Sequence, residues 1–99
     1  MARPRKKLPP FTLPREFVVT LAFGFRIGVL LRKKLNVHGC WYDFDKDRWG
    51  FIYIRDSEPY DEQLDTLRHE MEHALTDWGG HVRNLENEYR EFKREEGDE

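Results

Sequence analysis

Large apolar residues stand at every odd position from Phe17 to Leu31: Phe17, Val19, Leu21, Phe23, Phe25, Ile27, Val29 and Leu31. The even positions between them are mostly small or polar, including Thr20, Ala22, Gly24, Arg26 and Gly28. A period of two sends alternate side chains to opposite faces of an extended chain, so the pattern predicts strand with one face buried. The run is too long for a single strand, and Gly24 or Gly28 is placed to make a bulge or turn. A helix with the two glycines as a close-packing face is the alternative, and the alternation favours strand. No Gly-rich motif surrounds the glycines, which argues against a phosphate-binding loop.

Residues 37 to 55 read as a hairpin. Val37 to Asp45 alternates in part, Asp45-Lys46-Asp47-Arg48 is a polar turn, and Gly50 to Arg55 returns as an aromatic and β-branched strand. His38 and Cys40, two apart, would share one face of the first hairpin strand. Thiolate and imidazole both bind zinc, but a single His-x-Cys pair reads better as a strand-end histidine and a small buried thiol.

Further on the period changes. Leu64, Leu67, Met71, Ala74, Leu75 and Trp78 follow helical spacing, Asp61-Glu62 put acidic residues in the first turn, and Gly79-Gly80 is a stop signal. Within this helix residues 69 to 73 read His69-Glu70-Met71-Glu72-His73. Side chains at i and i+4 project from one face, so His69 and His73 can converge on one ion, with Glu70 beside them to deprotonate a water. On a helical wheel both histidines lie away from the apolar stripe, with Glu62, Thr66 and Thr76. A core histidine would lie on that stripe. The bland reading is a pair of solvated surface histidines flanking an incidental glutamate.

A catalytic zinc takes three protein ligands and leaves one position open. Asp77 continues the i+4 series, yet three ligands in line along one helix cannot surround an ion. His81 follows the Gly-Gly break, where a loop could swing it back over the pair. A second helix is expected beyond the break, with Val82, Leu85, Tyr89 and Phe92 as its apolar stripe. In a tight antiparallel hairpin Glu86 or Glu88 would come level with the histidines instead. His81 is the first choice.

The stretch from Trp49 to Phe92 resembles the zincin metallopeptidases, especially the minimal SprT-like and phage-encoded HExxH proteins. Phe51-Ile52-Tyr53-Ile54 matches their short strand, Arg55 to Tyr60 the polar link, and Leu67 to Leu75 the active-site helix. His81 followed by Leu85 resembles the third histidine of the SprT-like proteins, although Val82 stands where they carry glycine. Related short zincins use a glutamate from the second helix. The resemblance covers about half of the chain. It implies that Phe51 to Ile54 borders the substrate cleft and pairs with an extended peptide.

The fold expected is α+β: a small antiparallel β-meander of about three strands, then an active-site helix and a second packing helix. With 99 residues the chain makes one domain with a modest core, to which a bound metal would add stability. Its division is expected as a basic Pro-rich arm over 1–14, a zincin-like domain over 15–94 and a disordered acidic tail over 95–99. Residues 1 to 34 carry nine Lys or Arg against the single acid Glu16, and the remainder carries eight basic and eighteen acidic residues. Attraction between the halves is the simple account. Arg3, Arg5, Lys6 and Lys7 could also serve as an arm for nucleic acid. One cysteine excludes an intramolecular disulfide framework and suits a reducing cytoplasm. No signal peptide fits the start, and the apolar run carries Arg26 and is too short to span a bilayer, so no membrane is expected.

These readings converge on a cytoplasmic zinc metallopeptidase, one Zn2+ per chain, with His69, His73 and His81 as ligands and Glu70 as general base. Tyr42, Tyr53, Tyr60 and Tyr89 are candidates to assist the oxyanion. The alternatives are a non-catalytic zinc-stabilised adaptor or nucleic-acid-binding module, and a metal-free interaction protein in which HExxH is incidental.

Overall fold

The structure is a computed structural model and describes residues 12–97. Four strands, β1 (Glu16–Thr20), β2 (Arg26–Arg32), β3 (Gly39–Tyr42) and β4 (Trp49–Arg55), precede one helix, α1 (Tyr60–Gly97). The strands form one sheet in the order β1-β2-β4-β3. β1 and β2 are antiparallel, as are β3 and β4, but β2 and β4 run parallel. The expected α+β class holds, while the three-stranded antiparallel meander becomes a four-stranded mixed sheet. The difference arises because β4 does not stack outside β3: it inserts between β2 and β3, so the later hairpin lies against the earlier one through its second strand.

The alternating segment is the β1–β2 hairpin. Its reversal falls at Phe23 and Gly24, whose φ values of 67° and 79° are left-handed. Gly24 takes that conformation without steric cost, and Phe23 is held there with its carbonyl accepting from Arg48 Nη1 at 2.6 Å. Phe25, Ile27, Val29 and Leu31 point into the core from the odd positions. The second hairpin turns where Asp45 Oδ1 accepts from the Asp47 and Trp49 amides. Ile52 and Ile54 of β4 join the same core, together with Leu13, Phe44 and Ala74.

Helix α1 lies across this face. Leu64, Leu67, Met71, Trp78, Val82 and Leu85 pack partly buried against the core, and Ala74 is fully buried. The break expected at Gly79-Gly80 does not occur, and the second packing helix is the continuation of the first. Two interior glycines cost about 2 kcal/mol relative to alanine. Contacts anchor the helix on both sides of them: Trp78 Nε1 donates to the Ala22 carbonyl at 3.3 Å, and the His81 ring packs against both Phe25 and Phe44. At 38 residues the helix is about 57 Å long and overruns strands of about 23 Å. Tyr89 and Phe92, expected to pack, therefore project beyond the sheet and are exposed.

The boundaries also shift. Leu13, expected in the arm, belongs to the core, and its amide donates to Gln63 Oε1 at 3.1 Å. Glu95, at the start of the expected tail, lies within α1. The basic residues Arg3, Arg5, Lys6 and Lys7 lie outside the described residues. Among the described residues no helix is long and apolar enough to cross a membrane.

Candidate metal and catalytic site

His69 and His73 stand one turn apart on an exposed flank of α1, their ring centroids 4.8 Å apart. Helical periodicity produces this pairing. Both histidines are exposed, and β3 is an edge strand of the sheet among the described residues.

Glu70 turns the other way, towards β3, and is only 9 % exposed. No hydrogen-bond or ion-pair partner of its carboxylate is found among the described residues. The other buried polar side chain, Gln63, shows how unusual this is. Gln63 Oε1 accepts from Thr12 Oγ1 and the Leu13 amide, and its Nε2 donates to the carbonyls of Asp56 and Glu58. Buried polar groups are normally satisfied in this way, and an orphaned carboxylate calls for an explanation.

The space for Glu70 is made by Gly39. A Cβ at Gly39 would lie 2.4 Å from Thr66 Cγ2 and 3.5 Å from Glu70 Cγ. Glycine thus lets β3 approach α1 closely at the turn that carries Glu70. Sequence reading passed over Gly39; its signal was a glycine at the start of a strand, a mark of close backbone approach. Further along the same flank Asp77 Oδ2 accepts from Trp41 Nε1 at 2.7 Å, tying the helix to the edge strand and occupying Asp77 structurally.

His81 is not brought to the pair. Along an unbroken helix it lies about 12 Å beyond His73. Its ring packs tilted against Phe25 and edge-on against Phe44, and its Nε2 pairs with Asp43 Oδ1 at 3.2 Å. Glu86 and Glu88 lie further along the same helix, so the hairpin that would level them with the histidines is absent. Among the described residues no three His, Cys, Asp or Glu side chains converge as a metal cluster. The strand expected to border a substrate, Phe51 to Ile54, is paired on both sides by β2 and β3 and has no free edge. That position falls to β3.

His38 and Cys40 have different partners. His38 precedes β3 and contacts Glu58, which Arg55 also engages at 3.2 Å. Cys40 faces the side of the sheet away from α1, next to Tyr42. The Tyr42 phenol is held above its usual ionisation range, first by its hydrogen bond with Cys40, then by the charge of that thiol, by slight desolvation and by Tyr53.

No protein-family model matches the chain, and no significant match to it is found among curated proteins or solved structures.

Proposed function

We propose that the chain is a zinc-dependent peptidase in which His69 and His73 hold the ion and Glu70 is the general base. The observation that carries this reading is the buried Glu70 carboxylate without a partner, one residue from an exposed histidine pair. A structural carboxylate in that position would be bonded, as Gln63 is. A base that must accept a proton from an incoming water needs its lone pairs free. Two imidazoles at i and i+4 are suitable zinc donors, and the pair fits the ion as part of a ligand set.

A bound zinc would supply Lewis-acid polarisation of the scissile carbonyl and acidify the attacking water. The chain's own residues do the rest. Glu70 takes the proton from the attacking water and delivers it to the leaving amine. The free edge of β3 offers backbone groups that can align an extended peptide along the flank. Gly39, by admitting Glu70 beneath that edge, sets the distance between base and substrate backbone.

His81 completes the ligand set in this reading if α1 opens at Gly79-Gly80. A Cβ at either glycine would meet nothing closer than the Arg83 guanidinium, at 3.9 and 4.0 Å, and neither glycine has a positive φ. The unbroken helix therefore has no need of glycine at these positions, whereas a helix stop does.

The test is zinc content and hydrolysis of an unstructured fluorogenic protein substrate, compared among wild type, His73→Ala, Glu70→Gln and His81→Ala. About one zinc per wild-type chain is expected, lost in His73→Ala. Glu70→Gln should retain zinc and lose at least about a hundredfold in rate. Hydrolysis at the wild-type rate in zinc-loaded Glu70→Gln would overturn the base assignment. A folded wild type that takes up no zinc would overturn the whole reading.

A further inference from the structure

The face of the sheet away from α1 is covered by no other element among the described residues, and it is not an ordinary solvated face. Its central strand β4 carries Trp49, Phe51 and Tyr53 outward, each half-buried. Trp49 and Phe51 are stacked, with centroids 5.8 Å apart and planes 11° from parallel. Tyr42 on β3, 56 % exposed, extends the surface by an edge contact with Tyr53 at 5.5 Å. On the other side β2 supplies cations over the rings: Arg26 lies 5.1 Å from the Trp49 centroid and Arg32 5.5 Å from that of Tyr53. Lys33 and Lys34 follow directly, lining with Arg32, Tyr42, Phe51 and Tyr53 a shallow cleft at the end of the sheet.

The geometry points to this face as a binding platform for a single-stranded nucleic acid. The register explains how the rings gather on this face. Gly28 pairs with Phe51, and a Cβ there would come within 2.9 Å of the Phe51 ring, so the missing side chain lets the ring lie over β2. Side chains on one face of a strand recur every ~7 Å, which sets three rings in a row along β4. Unpaired bases stack on such rings irrespective of sequence, and arginine and lysine beside them take the phosphates.

Charge selects the occupant. Arg26, Arg32, Lys33 and Lys34 are all exposed. Among the strand residues of this face the only carboxylate is Glu16, at the far edge on β1. A second copy docking here through a two-fold axis would set these cations against their own images, which is unfavourable. A polyanion with aromatic faces matches both the rings and the charge. This surface lies on the opposite side of the sheet from His69, Glu70 and His73, and the inference does not depend on their role.

The experiment is fluorescence anisotropy of a labelled 15-nucleotide oligodeoxythymidylate with the full-length protein over a salt series. Saturable binding is expected, with log K falling against log salt at a slope of about −3 for four cations on a single strand. The double variant Tyr42→Ala/Tyr53→Ala should bind at least about fivefold more weakly. The triple variant Arg32→Gln/Lys33→Gln/Lys34→Gln should flatten the slope by about 2. Far-ultraviolet circular dichroism checks that each variant is folded, and Tyr42→Ala alone, at an exposed ring, provides the comparison if the double variant unfolds. Neutralising Arg3, Arg5, Lys6 and Lys7 together should leave the effect of the ring substitutions unchanged. Absence of binding at low salt, tighter binding of the corresponding duplex, or binding that survives the ring substitutions but vanishes with the arm charges would each overturn the proposal.

Discussion

Gly39 of the edge strand lies directly against Thr66 and Glu70 of the helix, so closely that a Cβ on Gly39 would stand 2.4 Å from Thr66 Cγ2. Backbone also closes the site from the other side, with the Tyr53 carbonyl 3.0 Å from the same point. Gly39→Ala must therefore push β3 away from α1. We expect a loss of about 1–3 kcal/mol, read as a lowered urea midpoint. Adding Thr66→Ser, which removes Cγ2, should restore part of that loss. An additive double mutant would show that the helix contact is not the cause.

Glu70 gives a contrasting prediction. Its side chain is largely buried and makes no hydrogen bond or ion pair among the described residues, so the near-isosteric Glu70→Gln should leave stability unchanged or raised. Thermal unfolding of the zinc-free protein near neutral pH checks this. Destabilisation would mean that the carboxylate has a structural partner, and would remove the ground for reading it as a base.

Gln63 is the counterpart. Four hydrogen bonds from one buried amide join residues 12 and 13, the 56–58 link and the helix start. Gln63→Leu should cost about 2–4 kcal/mol, because it strands the Leu13 amide and two carbonyls. The lesion should appear in hydrogen exchange as early loss of protection in the first turns of α1 rather than in β2 and β4.

Gly79→Ala/Gly80→Ala tests the helix break. Both glycines are helical with room for a methyl group, so the double variant should gain about 2 kcal/mol in the continuous helix. If His81 reaches zinc only when the helix opens, the same variant should bind zinc as weakly as His81→Ala. Unchanged zinc affinity in the alanine variant would separate His81 from the site.

Much of the fold is written in periodicity. The odd-position apolar run from Phe17 to Leu31 became the β1–β2 hairpin with its turn at Gly24, and the polar stretch Asp45–Arg48 became the second turn. Of the expected stripe, Leu64, Leu67, Met71, Ala74 and Trp78 became the face of α1 that covers the core, while Leu75 stays exposed and His69 and His73 lie on the outer flank. These are local matters, since side-chain direction follows from φ and ψ alone and burial then selects the face.

Long-range order was not legible. Nothing in the residues of β4 says that it inserts between β2 and β3, because a half-buried antiparallel hairpin strand and a central strand flanked by a parallel neighbour carry similar apolar alternation. Gly79-Gly80 reads as a stop in any local scheme, yet Trp78 and His81 on either side are held by Ala22 and Phe25 of the first hairpin and Phe44 of the second, and the helix runs on. Local periodicity placed the odd-numbered apolar residues of β2 in the core and the histidine pair on the outer flank of α1. Tertiary structure alone decided that Glu70 is buried beside Gly39, that β3 is the free edge, and that His81 lies a helical stretch away. Each of these depends on which distant backbone approaches, and that is set by the packing of whole elements rather than by any local period.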